Sequence, residues 1–142
     1  MIHHRTVMRN RIVEILKRID IPGINDRVYG TVFFPQRDLP LISVFCDGET
    51  VEPHAEQYER RLAVLIKIFA KAGESVEDDV DEYCAAIEAG LDRKLGGLAQ
   101  NGRLVAVGFD RSGEGNQEYM TADLAYTFDY FTTFRDPSQA TN

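Results

Sequence analysis

Tryptophan is absent from these 142 residues, and only two cysteines, three histidines and five prolines are present. The two cysteines, Cys46 and Cys84, lie far apart in apolar contexts, without the short spacing of zinc ligands or of a dithiol pair. Free, buried thiols are expected. Without Trp, the core must be built from Phe, Tyr and aliphatic side chains. No apolar run approaches the roughly 18 residues of a membrane-spanning helix, and Met1-Ile2-His3-His4-Arg5 leads into a polar amphipathic stretch instead of a signal-peptide core. A soluble protein made in a reducing cytoplasm is expected. An excess of positive charge is also missing. Sixteen Lys and Arg against 23 Asp and Glu leave a net -7, which removes any global attraction to phosphate backbones or anionic membranes, so neither nucleic-acid sequence recognition nor membrane binding is expected. With 44% hydrophobic and 27% charged residues, the length suits one ordinary domain.

What is present reads as alternating periodicities. Met8, Ile12, Ile15, Leu16 and Ile19 fall at the three-to-four spacing of one helix face over 4–19, and Pro22-Gly23 ends that helix. Short strands are predicted over 28–34 and 41–46, the second stopping at Asp47-Gly48. The acidic, Pro53-containing stretch 48–57 reads as a loop. A long strand over 58–72 carries apolar residues on both faces. Val76, Val80, Tyr83, Cys84, Ile87, Leu91 and Leu95 predict a second helix, with Ser75 as N-cap, Glu77, Asp78 and Asp79 at the positive end of its dipole, and Gly96-Gly97 as its stop. A fourth strand over 103–109, a polar turn over 110–118 and a closing strand over 119–134 complete the order α-β-β-β-α-β-β. The fold class is α+β: two helices packed on one face of a mostly antiparallel five-stranded sheet. Residues 1–135 form the domain, and 136–142 a polar tail expected to be disordered.

Chemistry-bearing residues are sparse. His3 and His4 are adjacent and cannot share a helix face, and His54 is remote, so solvent-exposed roles are expected and no metal site is assigned. The carboxylates of the second helix are spread around its cylinder and are explained by the dipole and by solvation. Gly113-Glu114-Gly115 leads into a strand, whereas phosphate-cradling loops lead into a helix. Ser43 or Cys46 near His54 is the one pair that could make a nucleophile and base. No cofactor is implied, and composition and motifs give no enzyme.

Two features point elsewhere. Leu41, Phe45, Leu65 and Phe69 should face away from Ile42, Val44, Val64 and Ile66, giving the sheet a second apolar face that two helices do not cover; loops of the same chain or a partner must do so. Residues 1–20 hold five basic side chains (Arg5, Arg9, Arg11, Lys17, Arg18) and two acidic ones (Glu14, Asp20), a net +3 that leaves -10 for the remainder. A basic patch on an acidic body suits head-to-tail contact between copies, and a solvated helix face explains it equally well. A small-molecule pocket between helices and sheet is the alternative from another class.

The stretch Gly108-Phe109-Asp110-Arg111 to Tyr119-Met120-Thr121-Ala122-Asp123-Leu124-Ala125-Tyr126-Thr127-Phe128 resembles the closing hairpin of the tail terminator proteins of long-tailed phages, the minor tail protein U family of lambda-like phages. Leu39-Pro40-Leu41-Ile42-Ser43-Val44 and Gly48-Glu49 resemble that family's proline-led second strand and acidic loop. The resemblance implies a non-enzymatic structural protein of a phage or prophage. It would assemble with itself into a hexameric ring in the host cytoplasm, cap the tail tube protein in the virion tail, stop its polymerisation, and present a surface to a head-completion or connector protein. Other tail-completion or connector roles are the near alternative. On this reading Glu49, Glu52 and Glu56 of the acidic loop, Arg111 and Glu114 of the closing turn, and Arg5 and Arg9 of the first helix are the candidate subunit or tube contacts.

Overall fold

The computed structural model describes residues 1–31, 39–114 and 117–141, and the side chains of 112–114 and 117–118 lie outside that description. Helix α1 (His4–Ile19) is followed by strands β1 (Val28–Tyr29), β2 (Leu41–His54) and β3 (Gln57–Lys71), helix α2 (Val76–Gly90), a 3-10 turn (Leu95–Gly97), and strands β4 (Asn101–Glu114) and β5 (Gln117–Thr133). The five strands form one sheet in the order β1-β2-β3-β5-β4, parallel only between β1 and β2. This is the α+β architecture that the alternating periodicities predict.

One face of the sheet carries the core. Met8, Ile12 and Leu16 of α1 and Val80, Cys84 and Ile87 of α2 pack in a single cluster with Ile42, Val44, Leu62, Val64, Ile66 and Ile68. Every second residue of β5 from Met120 to Tyr130 is buried in the same cluster. Period-two burial on the strands and three-to-four burial on the helices are the patterns expected of one shared apolar layer. Helix α1 lies over β1 and β2, and α2 over β3 and β5.

The opposite face is divided. At one end Leu41, Ser43 and Phe69 are buried, the Ser43 hydroxyl donating to the Thr31 carbonyl and the Lys67 ammonium lying 5.5 Å over the Phe69 ring. In the middle Phe45, Ala63, Leu65 and Ala125 are only half-buried. Beyond them the face turns polar, with Asp129 between Arg61 at 2.9 Å and Arg103 at 3.5 Å.

Several boundaries differ from the sequence reading. The stretch 48–57 is not a loop: β2 runs to His54 and turns into β3 through Ala55-Glu56, with Ala55 at φ 56. Pro53 is tolerated because β2 pairs with β1 only at Ile42 and Ser43, so the outer edge of its distal half has no ladder donor to lose among the described residues. A bulge between Cys46 and Gly48 absorbs Asp47 where the sequence suggests a stop. Helix α2 ends at Gly90, not at Gly96-Gly97: a β-carbon at Gly90 would lie 2.5 Å from Ile19 Cδ1, and Leu91 is extended and buried. Ser75 caps α2 without accepting an amide, its hydroxyl donating to Asp79. Strand β4 extends to Glu114 instead of turning at Asp110. The strand expected over 28–34 is strand at Val28–Tyr29, and residues 32–34 of it, with 35–38 of the connection over 35–40, lie outside the described residues. The expected disordered tail is tied down: the His4 amide donates to the Pro137 carbonyl at 2.9 Å and the Thr141 amide to the Phe131 carbonyl at 2.8 Å. Cys84 is buried as expected, while Cys46 is half-buried.

Gly102 shows how closely β4 meets its surroundings. A β-carbon there would sit 2.4 Å from the Arg93 carbonyl oxygen and 2.6 Å from the Phe128 ring, whereas at Gly108 of the same strand nothing lies within 4 Å. Gly102→Ala is therefore expected to destabilise the fold by about 1–3 kcal/mol through overpacking, and Gly108→Ala to leave stability nearly unchanged. Urea unfolding of both variants checks this; equal midpoints would contradict the packing described.

Candidate functional site

Two places gather polar or exposed side chains in a way that the core does not explain. The first is a buried polar node where the β2–β3 hairpin leaves the body of the domain. The bulge at Asp47 sets Glu49 opposite Leu62, on the helix side of the sheet, and only 6% of its side chain is exposed. Its Oε1 accepts from Arg5 at 2.7 Å and from Arg60 at 2.8 Å, and its Oε2 from the Tyr130 hydroxyl at 2.6 Å. Arg60 also donates to Thr132 at 2.8 Å. The His4 ring lies 5.1 Å from that of Tyr130 and donates through Nε2 to the Leu98 carbonyl at 2.8 Å. His4 is thus buried, contrary to the exposed role expected for it, whereas His3 caps α1 by accepting the Arg5 amide.

Burial works against the Glu49 charge, but the bonds from Tyr130, Arg5 and Arg60 outweigh it and hold the carboxyl below its ordinary range. Burial, then the bond to Glu49, pushes the Tyr130 phenol up, so it stays protonated and donating. Burial and the neighbouring Arg5 lower His3. The node is a structural clamp: one carboxylate ties α1, β2, β3 and β5 together.

The second place is the open edge of the sheet. Val105, Val107 and Phe109 of β4 are 52%, 40% and 56% exposed. A bulge between Leu104 and Ala106 turns Val107, Phe109 and Arg111 toward the helix side, in register with Leu124, Ala122 and Met120. They form one wall of a groove whose other wall is the acidic first half of α2. Glu77, Asp81, Phe109, Asp110, Arg111 and Met120 line an open concavity of about 410 Å³ there. Arg111 donates to Glu77 across it.

Of the residues singled out from the sequence, Glu49 and Arg5 come together, inward-facing. Arg9 lies close to Cys46, whose thiol burial pushes up against the pull of Arg9. Glu52 sits opposite Glu59 on the exposed end of the hairpin, and Glu56 is in its turn. Arg111 is on the edge groove, 34 residues in sequence from its partner. Glu114 ends β4, and its side chain lies outside the described residues. Arg60, Tyr130 and Phe109 were not singled out as contacts; for Arg60, its place among the alternating apolar residues of β3 was the available signal. Ser43 and Cys46 do not meet His54. They stand eleven and eight residues before it along one strand, about 36 and 26 Å at 3.3 Å per residue, and the His54 ring lies 5.9 Å from that of Phe131. Among the described residues no three His, Cys, Asp or Glu side chains are grouped to hold a metal, and no helix is long and apolar enough to cross a membrane.

No protein-family model matches the chain, and no curated protein matches it. A solved structure shares its fold. That structure is described as the virion of native gene transfer agent (GTA) particle, and the chain in question is 16% identical, with 83% of this chain and 85% of that one covered and a TM-score of 0.50. The likeness is one of fold: two helices over a mostly antiparallel sheet.

Glu49→Gln keeps the size of the side chain and removes the charge that two arginines share. It is expected to cost about 2–4 kcal/mol at pH 7, since it leaves buried cationic charge uncompensated. Because the folded-state pKa of Glu49 is depressed, its contribution is present above the unfolded value of about 4.3 and lost as pH falls through the lower folded value. Wild-type stability should therefore drop more steeply than that of the variant on acidification below about pH 5. Parallel slopes in thermal melts across that range would show that the node does not carry the charge.

Proposed function

We propose that this chain is a tail terminator subunit of a phage, prophage or phage-like particle: a non-enzymatic ring former that caps the tail tube, stops its polymerisation and offers a surface for head attachment. The observation that carries the reading is the long β4 edge with Val105, Val107 and Phe109 exposed. An open apolar edge is a template for another chain, and a monomer that kept it uncovered would be prone to uncontrolled pairing. A chain of the same fold in the virion of a gene transfer agent particle supports membership of a particle, as does the likeness of the closing hairpin to the tail terminator family. Ring neighbours, the tail tube protein and a head connector are the partners on this reading, met in the cytoplasm of the host and retained in the virion tail.

The candidate contacts divide by exposure. On this reading Glu52 and Glu56 at the exposed hairpin end and Arg111 on the edge groove meet a neighbour or the tube. Arg9 borders the opposite, β1 side of the subunit. Glu49 and Arg5 act on assembly through the hairpin that they clamp. Interface strength would come from a few desolvated apolar anchors, with charges selecting partner and register. A head–tail connector or other completion protein is the second reading, since the fold likeness serves it equally.

Removing the gene from its particle-producing host and measuring tails by electron microscopy separates the two. A terminator predicts tails of uncontrolled length, whereas a connector predicts tails of normal length without heads. Reversing Arg111 to Glu should impair ring assembly and length control together; if both persist, Arg111 is not a contact.

A further inference from the structure

The two ends of the sheet carry opposite charge. Helix α2 holds six acidic side chains, Glu77, Asp78, Asp79, Asp81, Glu82 and Glu88, and no basic one. Helix α1 holds five basic residues and one acidic. Because α1 lies over β1 and β2 and α2 over β3 and β5, Arg9 and Lys17, on the side of α1 toward Gly30, border one margin of the order β1-β2-β3-β5-β4 and the acidic helix stands next to the other; Arg5 is bonded to Glu49, and Arg11 and Arg18 lie beside Glu14, toward Gly90 and Gly96. Among the described residues β4 has no partner beyond it, and β2 pairs with β1 only at Ile42 and Ser43, residues 32–38 between β1 and β2 lying outside the description.

Strand sense agrees with the charges. β2, β3, β5 and β4 alternate in direction, so β4 runs antiparallel to β2. A second copy set beside the first in the same orientation therefore presents an antiparallel edge. Joining two acidic margins, or two basic ones, would instead set like charges against each other.

We propose that copies of this chain join head to tail across the sheet, the α2–β4 groove of one receiving the α1–β1 margin of the next. Phe109 and Val107 supply the apolar anchor, and Glu77 and Asp81 face the basic helix. The contact is heterologous, so it propagates until the rotation closes. In the free subunit Arg111 answers Glu77; in the joined state cations of the neighbour compete for that carboxylate. This inference rests on the ring reading above and adds which surfaces meet.

Two variants with opposite damaged ends test it. Asp81→Asn with Phe109→Ser spoils the acidic margin at exposed positions without creating a cation that the other variant's new carboxylates could pair with. Thr6→Glu with Lys17→Glu spoils the basic one, on the side of α1 where Arg9 and Val13 face Gly30. Each variant alone should self-associate on the order of tenfold or more weakly than wild type. Mixed one to one, they should form a heterodimer of twice the 16.1 kDa subunit mass that grows no further, because each supplies the end that the other lacks. Native mass spectrometry and light scattering read the result, and circular dichroism confirms that both variants are folded. A variant that assembles like wild type, or a mixture of two folded variants that stays monomeric while wild type assembles, overturns the inference and leaves the terminator reading standing. A wild type that stays monomeric at every soluble concentration overturns it too, and the tail-length measurement then decides the terminator reading separately.

Discussion

Extended chain outruns wound chain. The seventeen residues of β5, at about 3.3 Å each, run roughly 56 Å, while the sixteen residues of α1 run about 24 Å. Whatever their crossing angle, two helices of this size cannot cover both faces and both margins of a sheet built on such strands. The rest of the molecule follows from how that mismatch is met. The central rows are sheltered by the helices, one end of the opposite face is buried by the chain itself, and the β4 margin is left open with its apolar side chains in solvent. A fold that exposes its edge over this length is better suited to assembly than to independence.

The buried carboxylate of Glu49 has a different part in this economy of cover. A hairpin that projects past its helices has no apolar layer beneath it, and its root would be a natural place to fray. Instead, three hydrogen-bonding partners converge from three other elements, with Arg60 bridging onward to Thr132. Desolvating this many charges costs energy that the mutual pairing must offset. What the arrangement adds is orientation: the hairpin is held to the start of α1 at a fixed angle, and the tail passing His4 reinforces the same corner.

Much of this was legible in the residues. The spacing of Met8, Ile12 and Leu16 gives α1, and the alternation from Met120 to Tyr130 gives β5, because burial imposes those periods directly. The second half of β2 was hidden for a physical reason. Acidic residues and Pro53 normally mark a loop, but a strand with a free outer edge accepts Pro, and a carboxylate can be buried if cations come from elsewhere in the chain. Arg5 and Arg60 lie 44 and 11 residues from Glu49, so their convergence depends on the tertiary fold. The face presented by Val107 and Phe109 was similarly concealed, since a single bulge residue reverses the parity that alternation would assign. The basic and acidic helices were each visible in the sequence, whereas their placement at opposite margins required the strand order.

The two bulges have one more geometric consequence. That of β2 falls beside Val64 and Ala63, and that of β4 beside Tyr126 and Ala125; since Val64 pairs with Tyr126, the bulges of β2 and β4 fall at the same level of the sheet. A bulge increases local twist, so the accentuated twist of the sheet is concentrated along one line running across it. Units laid margin to margin, as proposed above, would each bring the same right-handed increment of twist to the row, so that it would coil instead of spreading as a flat ribbon.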